Sequence, residues 1–145
     1  MNLKEVLYSY CESNNLNASK DIICNSFLDY CNKYTQPHNN WLNISPIILS
    51  SYCYAVNEKI FKELLLYLYD LLPHHIEVNY IFNCKNEVCS DMFGISIPKN
   101  DFVENQVYSE PCLRCNNLHS YTLDEDNYVL NFSIDSTKFL KDLNV

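Results

Sequence analysis

Four cysteines in the second half of the chain place the strongest constraint on how it can fold. They form two close pairs, Cys84-x4-Cys89 and Cys112-x2-Cys115, with twenty-two residues between the pairs. A tetrahedral zinc ion needs four soft ligands, and two turns that each present two sulfur atoms can supply them. The spacing therefore predicts one zinc ion held by Cys84, Cys89, Cys112 and Cys115.

The redox state of the cysteines decides between a metal site and its alternatives. Eight cysteines in a secreted chain would suggest four disulfides, and ordinary buried thiols are a third possibility. No apolar segment typical of a signal peptide follows the polar opening Met1–Glu5. The longest apolar stretch, Leu64–Leu72, contains Asp70 and is too short to span a bilayer. Reduced thiols, metal binding and a cytoplasmic location are therefore expected.

The two cysteine pairs resemble the ligands of the zinc-ribbon class of domains, over about Ile76 to Ile134. That resemblance implies one structural zinc, clamped by turns on two β-hairpins and left with no open position for catalysis. The zinc would then supply on the order of 10 kcal/mol of folding free energy. Two features depart from the class: the first pair has four intervening residues where two are commoner, and Ser90 and Asn116 stand where a Gly usually relaxes the turn. Asn tolerates the left-handed backbone conformation, so Asn116 is an acceptable substitute.

Apolar residues recur at helical spacing in the first half of the chain, which predicts a helical module over residues 1–73 with four or five helices. Ser45 followed by Pro46 is typical of a helix start, because Pro fits a first turn where its missing N–H is not needed. Asn57 can cap the next helix, Glu58–Leu72. That helix is apolar on nearly every side, so it is expected to be the central one.

After residue 75 the spacing of apolar residues changes from the helical period to alternation at every second residue, which predicts a β-rich domain over residues 76–145. Ile76–Phe82 alternates apolar and polar residues as a half-buried strand does. His119–Leu123 and Tyr128–Ile134 flank a polar turn and predict a hairpin, and Asp135 or Ser136 can cap a short terminal helix. The expected fold class is α+β: a helical module followed by a zinc-ribbon-like β domain with a short C-terminal helix.

An enzyme alternative comes from a second resemblance. His75-Ile76-Glu77, followed later by Pro111-Cys112-Leu113-Arg114-Cys115, is similar to the H-x-E and P-C-x-x-C signature of zinc-dependent nucleobase deaminases. It would imply a catalytic zinc on His75, Cys112 and Cys115, with Glu77 moving protons. Those enzymes place each half-motif at the start of a helix, whereas strand-like sequence follows both half-motifs here. We therefore expect no catalytic residues.

The remaining cysteines and histidines give weaker signals. Cys11, Cys24, Cys31 and Cys53 are scattered through the predicted helices and are expected to be small buried apolar residues. His119 lies close enough to Cys115 to replace a cysteine ligand. With four cysteines available, a position on the strand surface is expected for His119.

Charge limits the kind of partner. The formal net charge is −8, of which residues 76–145 carry −6 from five basic and eleven acidic side chains. An acidic surface repels phosphate backbones, so nucleic acid is disfavoured and a basic protein surface is a better partner. Three functions stay open: an adaptor or accessory subunit of a larger assembly, an acidic inhibitor or antitoxin-like protein that masks a basic site, and a nucleic-acid-binding zinc ribbon. Trp41 and the tyrosines are candidate interface anchors.

Overall fold

Helices occupy most of the N-terminal half and strands most of the C-terminal half, as the α+β prediction requires. The structure, a computed structural model, describes residues 2–51, 56–86, 94–101, 106–112, 114–122 and 128–142. The helices are α1 (Leu3–Ser13), α2 (Lys20–Tyr34), α3 (Pro46–Ser51), α4 (Glu58–Leu71) and α5 (Ser136–Asp142), with 3-10 turns at Asn17–Ser19 and Lys99–Asp101. The strands are β1 (Trp41–Ile44), β2 (Ile76–Asn83), β3 (Gly94–Pro98), β4 (Tyr108–Pro111), β5 (Leu118–Tyr121) and β6 (Tyr128–Asp135).

The described strands form two sheets, one with the order β1-β6-β2-β3 and one that pairs β4 with β5. The predicted hairpin between His119–Leu123 and Tyr128–Ile134 is wrong. β5 pairs antiparallel with β4, whereas β6 pairs antiparallel with β1, from Trp41 opposite Asp135 to Ile44 opposite Phe132. Alternating apolar residues identify a strand but not its partner. The true partner, β1, lies in a segment whose composition is otherwise typical of helices and loops, so its local sequence does not identify it as a strand.

Residue contacts divide the chain into two compact units, residues 1–77 with 132–145 and residues 78–131. The sequence places a boundary between 73 and 76, and the first of the structural boundaries lies close to it. The last fourteen residues, 132–145, group with the N-terminal unit. They group there because α5 and the end of β6 pack against the helices and β1 of that unit.

The core of the first unit joins residues that are far apart in the sequence. The ring of Phe139 on α5 packs edge-on against that of Phe27 on α2, with 6.2 Å between centroids. The N–H of Ser136 donates to the carbonyl oxygen of Asn40 at 2.9 Å, and Asp135 Oδ1 accepts from the N–H of Lys138 as the N-cap of α5. These contacts order the terminal helix and confirm the predicted cap.

The burial of helix α4 differs from the prediction made from its apolar sequence. Asn57 caps it as predicted, because its side chain accepts a hydrogen bond from the N–H of Ile60. Its buried residues form one face, while Leu71 is exposed, so it is amphipathic and not enclosed by neighbours on every side. The buried face consists of Phe61, Leu64, Leu65 and Leu68. In the described part of the chain, no helix combines the length and apolar character that crossing a membrane requires.

The core of the second unit is small and aromatic. Phe82 on β2, Ile95 and Ile97 on β3, and Tyr121 on β5 form one buried cluster. The β2–β3 pairing brings Phe82 opposite Ile95. The strand predicted at Ile76–Phe82 is thus confirmed, and its apolar face supports the unit that carries the cysteine pairs.

Candidate metal centre

Two β-hairpins carry the described cysteines of the predicted metal site. Cys84 directly follows β2, in the connection to β3. Cys112 directly follows β4, and Cys115 lies between Cys112 and β5, so both belong to the turn of the second hairpin. Cys89, the fourth predicted ligand, lies outside the described residues.

The turn of the second hairpin is closed by its own backbone. The N–H of Cys112 donates to the carbonyl oxygen of Asn117 at 3.1 Å, and the N–H of Asn116 donates to the carbonyl oxygen of Cys112 at 2.8 Å. Asn116 has φ of 57°, the left-handed conformation that Gly adopts most easily and Asn tolerates. Asn116 therefore fills the position of the missing Gly, as the sequence suggests.

The sulfur atoms from the two hairpins meet at a separation that suits a metal ion. The Sγ atoms of Cys84 and Cys115 are 3.6 Å apart. With Zn–S bonds of about 2.3 Å, neighbouring ligands of a tetrahedral ion are about 3.8 Å apart, whereas a disulfide bond is about 2.05 Å long. Cys112 belongs to the same buried cluster, in which Cys84 is 1% and Cys112 3% exposed. The geometry is compatible with a metal site and excludes a disulfide between Cys84 and Cys115.

An imidazole joins the sulfurs. A ring nitrogen of His119 and the Sγ atoms of Cys84 and Cys115 all lie within 4.8 Å of one another. The Nε2 atom of His119 is buried and makes no hydrogen bond within the described residues. The sequence favours a surface position for this side chain, and the structure instead places it in the cluster. The signal that could have indicated this is the alternation of β5, which puts His119 on the same face as the buried Tyr121.

Backbone N–H groups point at two of the sulfurs. The N–H of Asn86 donates to Cys84 Sγ at 3.5 Å, and the N–H of Arg114 donates to Cys112 Sγ at 3.4 Å. In each turn the N–H that donates belongs to the residue two positions after the cysteine. The two turns therefore hold the sulfurs of Cys84 and Cys112 in the same way. A hydrogen bond to the charged form favours it, and a thiolate is the form that binds metal.

Lys85 ties the first turn to the second hairpin. Its Nζ donates to the carbonyl oxygen of Ser120 at 2.5 Å and lies 5.0 Å from the ring centroid of Tyr121. Since Lys85 is adjacent to Cys84, these contacts fix the turn that carries the first sulfur to the strand that carries His119. They also bring a positive charge to a site whose cysteines must ionise to bind metal.

The deaminase resemblance lacks its structural context. His75 lies directly before β2, Glu77 lies within β2, and β5 follows Cys115, so both half-motifs lead into strands, as the sequence predicts. The ring of His75 packs edge-on against Phe139, with 5.4 Å between centroids. In the described part of the chain, the ligand group that could hold a metal includes His119 and not His75.

Three further cysteines behave as the sequence predicts. Cys11 on α1 and Cys24 and Cys31 on α2 are buried among the helices. Burial raises the pKa of all three thiols, and raises that of Cys31 to about 12. They are neutral packing groups, and Cys53 lies outside the described residues.

The donor atoms that lie within 4.8 Å of one another are thus the sulfurs of Cys84 and Cys115 and a ring nitrogen of His119, and Cys112 packs in the same buried cluster. Soft sulfur and imidazole ligands together are typical of zinc sites, whereas calcium and magnesium prefer oxygen. Comparisons of the chain with protein-family models, with curated proteins and with solved structures each found no match.

Proposed function

We propose that the protein is a small zinc-stabilised protein-interaction module, an adaptor or accessory subunit of a larger assembly. The observation that carries this proposal is the convergence of sulfurs from two separate hairpins on one partly buried point, within reach of an imidazole. A zinc ion with four protein ligands has no open position, so it stabilises the fold and does not bind substrate. In this role the metal ties the β2–β3 hairpin to the β4–β5 hairpin, as in the zinc-ribbon class.

The size of the second unit supports a structural role for the metal. Among the residues that the structure describes, its buried apolar cluster consists of Phe82, Ile95, Ile97 and Tyr121, and residues 78–131 span fifty-four positions. The core of a unit this small supplies little stability, and natural domains of this size often add a metal, disulfides or a partner. Because the sulfur–sulfur separation of 3.6 Å excludes a disulfide between Cys84 and Cys115, a metal ion is the link through which these two cysteines would join the hairpins.

Charge supports a protein partner with a basic surface. Residues 78–131 contain three Lys or Arg against eight Asp or Glu, a net charge of −5. The same unit exposes apolar side chains, notably Leu118 at 66%. In the first unit, Ile47 is 65% and Trp41 39% exposed. Acidic charge steers association with a basic partner, and exposed aromatic and aliphatic side chains serve as anchors.

The structural role of zinc is tested by elemental analysis of the protein purified without added metal. We expect one zinc per chain. Removal with a strong chelator should abolish the tertiary structure of residues 78–131, followed by amide NMR signals, and zinc addition should restore it. Protein that contains no zinc and keeps its native spectrum in chelator would overturn the proposal.

The interaction role is tested by affinity capture from cells that produce the protein naturally, followed by reconstitution of any complex from purified parts. An adaptor is expected to form a stoichiometric complex that survives moderate salt and is weakened by Trp41→Ala or Leu118→Ala, with exposed Lys62→Ala as the control. A complex with a basic enzyme that loses activity on binding, and that dissociates as salt rises, would favour the inhibitor instead. Retention on DNA or RNA at physiological salt would favour the nucleic-acid-binding ribbon. Imaging of the tagged protein in cells that produce it naturally tests the proposed cytoplasmic location.

A further inference from the structure

We infer that His119 is the fourth zinc ligand, so that the ion is bound by Cys84, Cys112, Cys115 and His119 rather than by four cysteines. The inference rests on the proposed zinc site and changes its ligand set. Three sulfurs and one nitrogen form a closed tetrahedral site as four sulfurs do. The difference lies in which residue completes it.

Strand periodicity explains why His119 meets Cys84. The rings of Phe82 on β2 and Tyr121 on β5 are in contact, with 5.3 Å between centroids. Cys84 is two residues after Phe82, and His119 is two residues before Tyr121. His119 lies on the Tyr121 face of β5, because side chains two apart share a strand face. Cys84 directly follows β2 and is buried like Phe82, so the pair Cys84 and His119 continues the aromatic contact.

The burial of the imidazole gives an independent argument. Leu118 and Ser120, the strand neighbours of His119, are exposed, whereas the Nε2 atom of His119 is buried and makes no hydrogen bond within the described residues. A buried polar atom with no partner is destabilising, because it has lost its hydrogen bonds to water. Coordination of a metal ion removes that cost, and the sulfurs of Cys84 and Cys115 lie within 4.8 Å of a ring nitrogen of His119.

Charge also favours a neutral fourth ligand. Three thiolates and a zinc ion have a net charge of −1, whereas four thiolates and a zinc ion have −2. The surrounding unit, residues 78–131, is already acidic, with eight acidic and three basic side chains. An imidazole ligand therefore completes the site with less repulsion than the thiolate of Cys89 would.

The ligand set can be measured directly by X-ray absorption at the zinc edge of the full-length wild-type protein. We expect three sulfurs at about 2.3 Å and one nitrogen at about 2.0–2.1 Å, with the multiple scattering that identifies imidazole. Because this measurement needs no substitution, it does not depend on whether a variant folds. Four sulfurs without imidazole scattering would overturn the inference.

Variants then assign the nitrogen. His119→Ala should lose the imidazole signal and weaken zinc binding by more than the roughly 10- to 100-fold that loss of an outer-shell contact causes. His119→Cys should restore tight binding with a four-sulfur spectrum. Cys89→Ser should change neither the spectrum nor the affinity. His38→Ala, an exposed loop histidine, is the matched control and should be silent.

The outcomes separate the two proposals. If zinc is bound by four sulfurs and Cys89→Ser weakens it while His119→Ala does not, the zinc site stands and the inference fails. A spectrum with three sulfurs and an oxygen or nitrogen that persists in His119→Ala also overturns the inference. If the protein binds no zinc, the proposed function fails as well.

Discussion

The N–H of Asn116 donates a hydrogen bond to the carbonyl oxygen of Cys112 at 2.8 Å, in a turn where Asn116 adopts φ of 57°. This contact closes the turn that carries Cys112 and Cys115.

Asn116→Gly should keep the turn and cost little folding free energy. Asn116→Val should cost about 1–2 kcal/mol of folding free energy, since a β-branched residue is disfavoured in the left-handed region. Chemical denaturation of the zinc-bound protein measures both. Asn117→Val, at an exposed neighbouring position, is the control, and an equal loss at both positions would contradict the turn geometry.

Loss of one sulfur should unfold the β unit. Cys112→Ser replaces a buried thiolate with a hydroxyl that binds zinc weakly, so we expect the metal to be lost and residues 78–131 to lose their ordered amide signals. Elemental analysis and two-dimensional NMR check this. Cys24→Ala, a buried thiol of α2, should keep stoichiometric zinc. A Cys112→Ser protein with one zinc per chain and a native melt would show that this sulfur is not a ligand.

Lys85 should tune zinc affinity without being a ligand. Lys85→Met keeps the aliphatic stem but removes the hydrogen bond to Ser120 and the charge beside Cys84. We expect zinc affinity to fall about 10-fold, at the low end of the effect of outer-shell contacts, while the ligand spectrum stays unchanged. Competition with a chromogenic chelator measures the affinity. Lys62→Met on the exposed side of α4 is the matched control.

Removal of the α4 cap should weaken the helical unit by a predictable amount. Asn57→Ala removes the hydrogen bond from the N–H of Ile60 and should cost about 1 kcal/mol, whereas Asn57→Asp should retain most of it. Urea unfolding followed by helical circular dichroism measures both. Asn32→Ala, at an exposed position of α2, controls for the loss of an amide that caps nothing.

The buried thiol of Cys31 should make stability fall at high pH. Burial raises the pKa of Cys31 to about 12, above the ordinary value of 9.0. Between those values the unfolded chain has lost the proton that the folded chain retains, so this thiol contributes stability below pH 9 that declines as pH rises. The decline is at most about 1.4 kcal/mol per pH unit.

The contribution of Cys31 is isolated by comparing wild type with Cys31→Ala from pH 7 to pH 11. The variant should be less stable at pH 7, because it leaves a cavity, and its stability should fall less steeply above pH 9. Parallel curves for the two proteins would show that Cys31 does not contribute to the pH dependence.

Local patterns were sufficient to predict most elements. The helical periodicity of Leu3–Ser13, the cap at Asn57 and the Pro at the start of α3 act within a few residues, and the structure has each of them. The alternation of β2 likewise indicates its buried face before its partner is known. Such features are predictable because the interactions that produce them lie within one turn or one strand.

The partners of these elements were not predictable in the same way. The alternation in β6 suggests a hairpin with β5, but β6 pairs with β1, whose residues are about ninety positions away. The same limit applies to α4, whose apolar residues suggest full burial although Leu71 is exposed. The partner of a strand and the burial of a helix face depend on which distant segments pack beside them. The local periodicity of the strand or helix carries no information about those segments.

The sequence by itself determined that Cys112 and Cys115 share a turn, because only two residues separate them. It also determined that Cys84 directly follows a strand, because the alternating segment Ile76–Phe82 ends just before it. Only the tertiary structure decided that Cys84 meets Cys115 across two hairpins and that His119 points to the same place. The physical reason is the packing of Phe82 against Tyr121. That contact joins strands nearly forty residues apart, and it brings the donor atoms within reach of one metal ion.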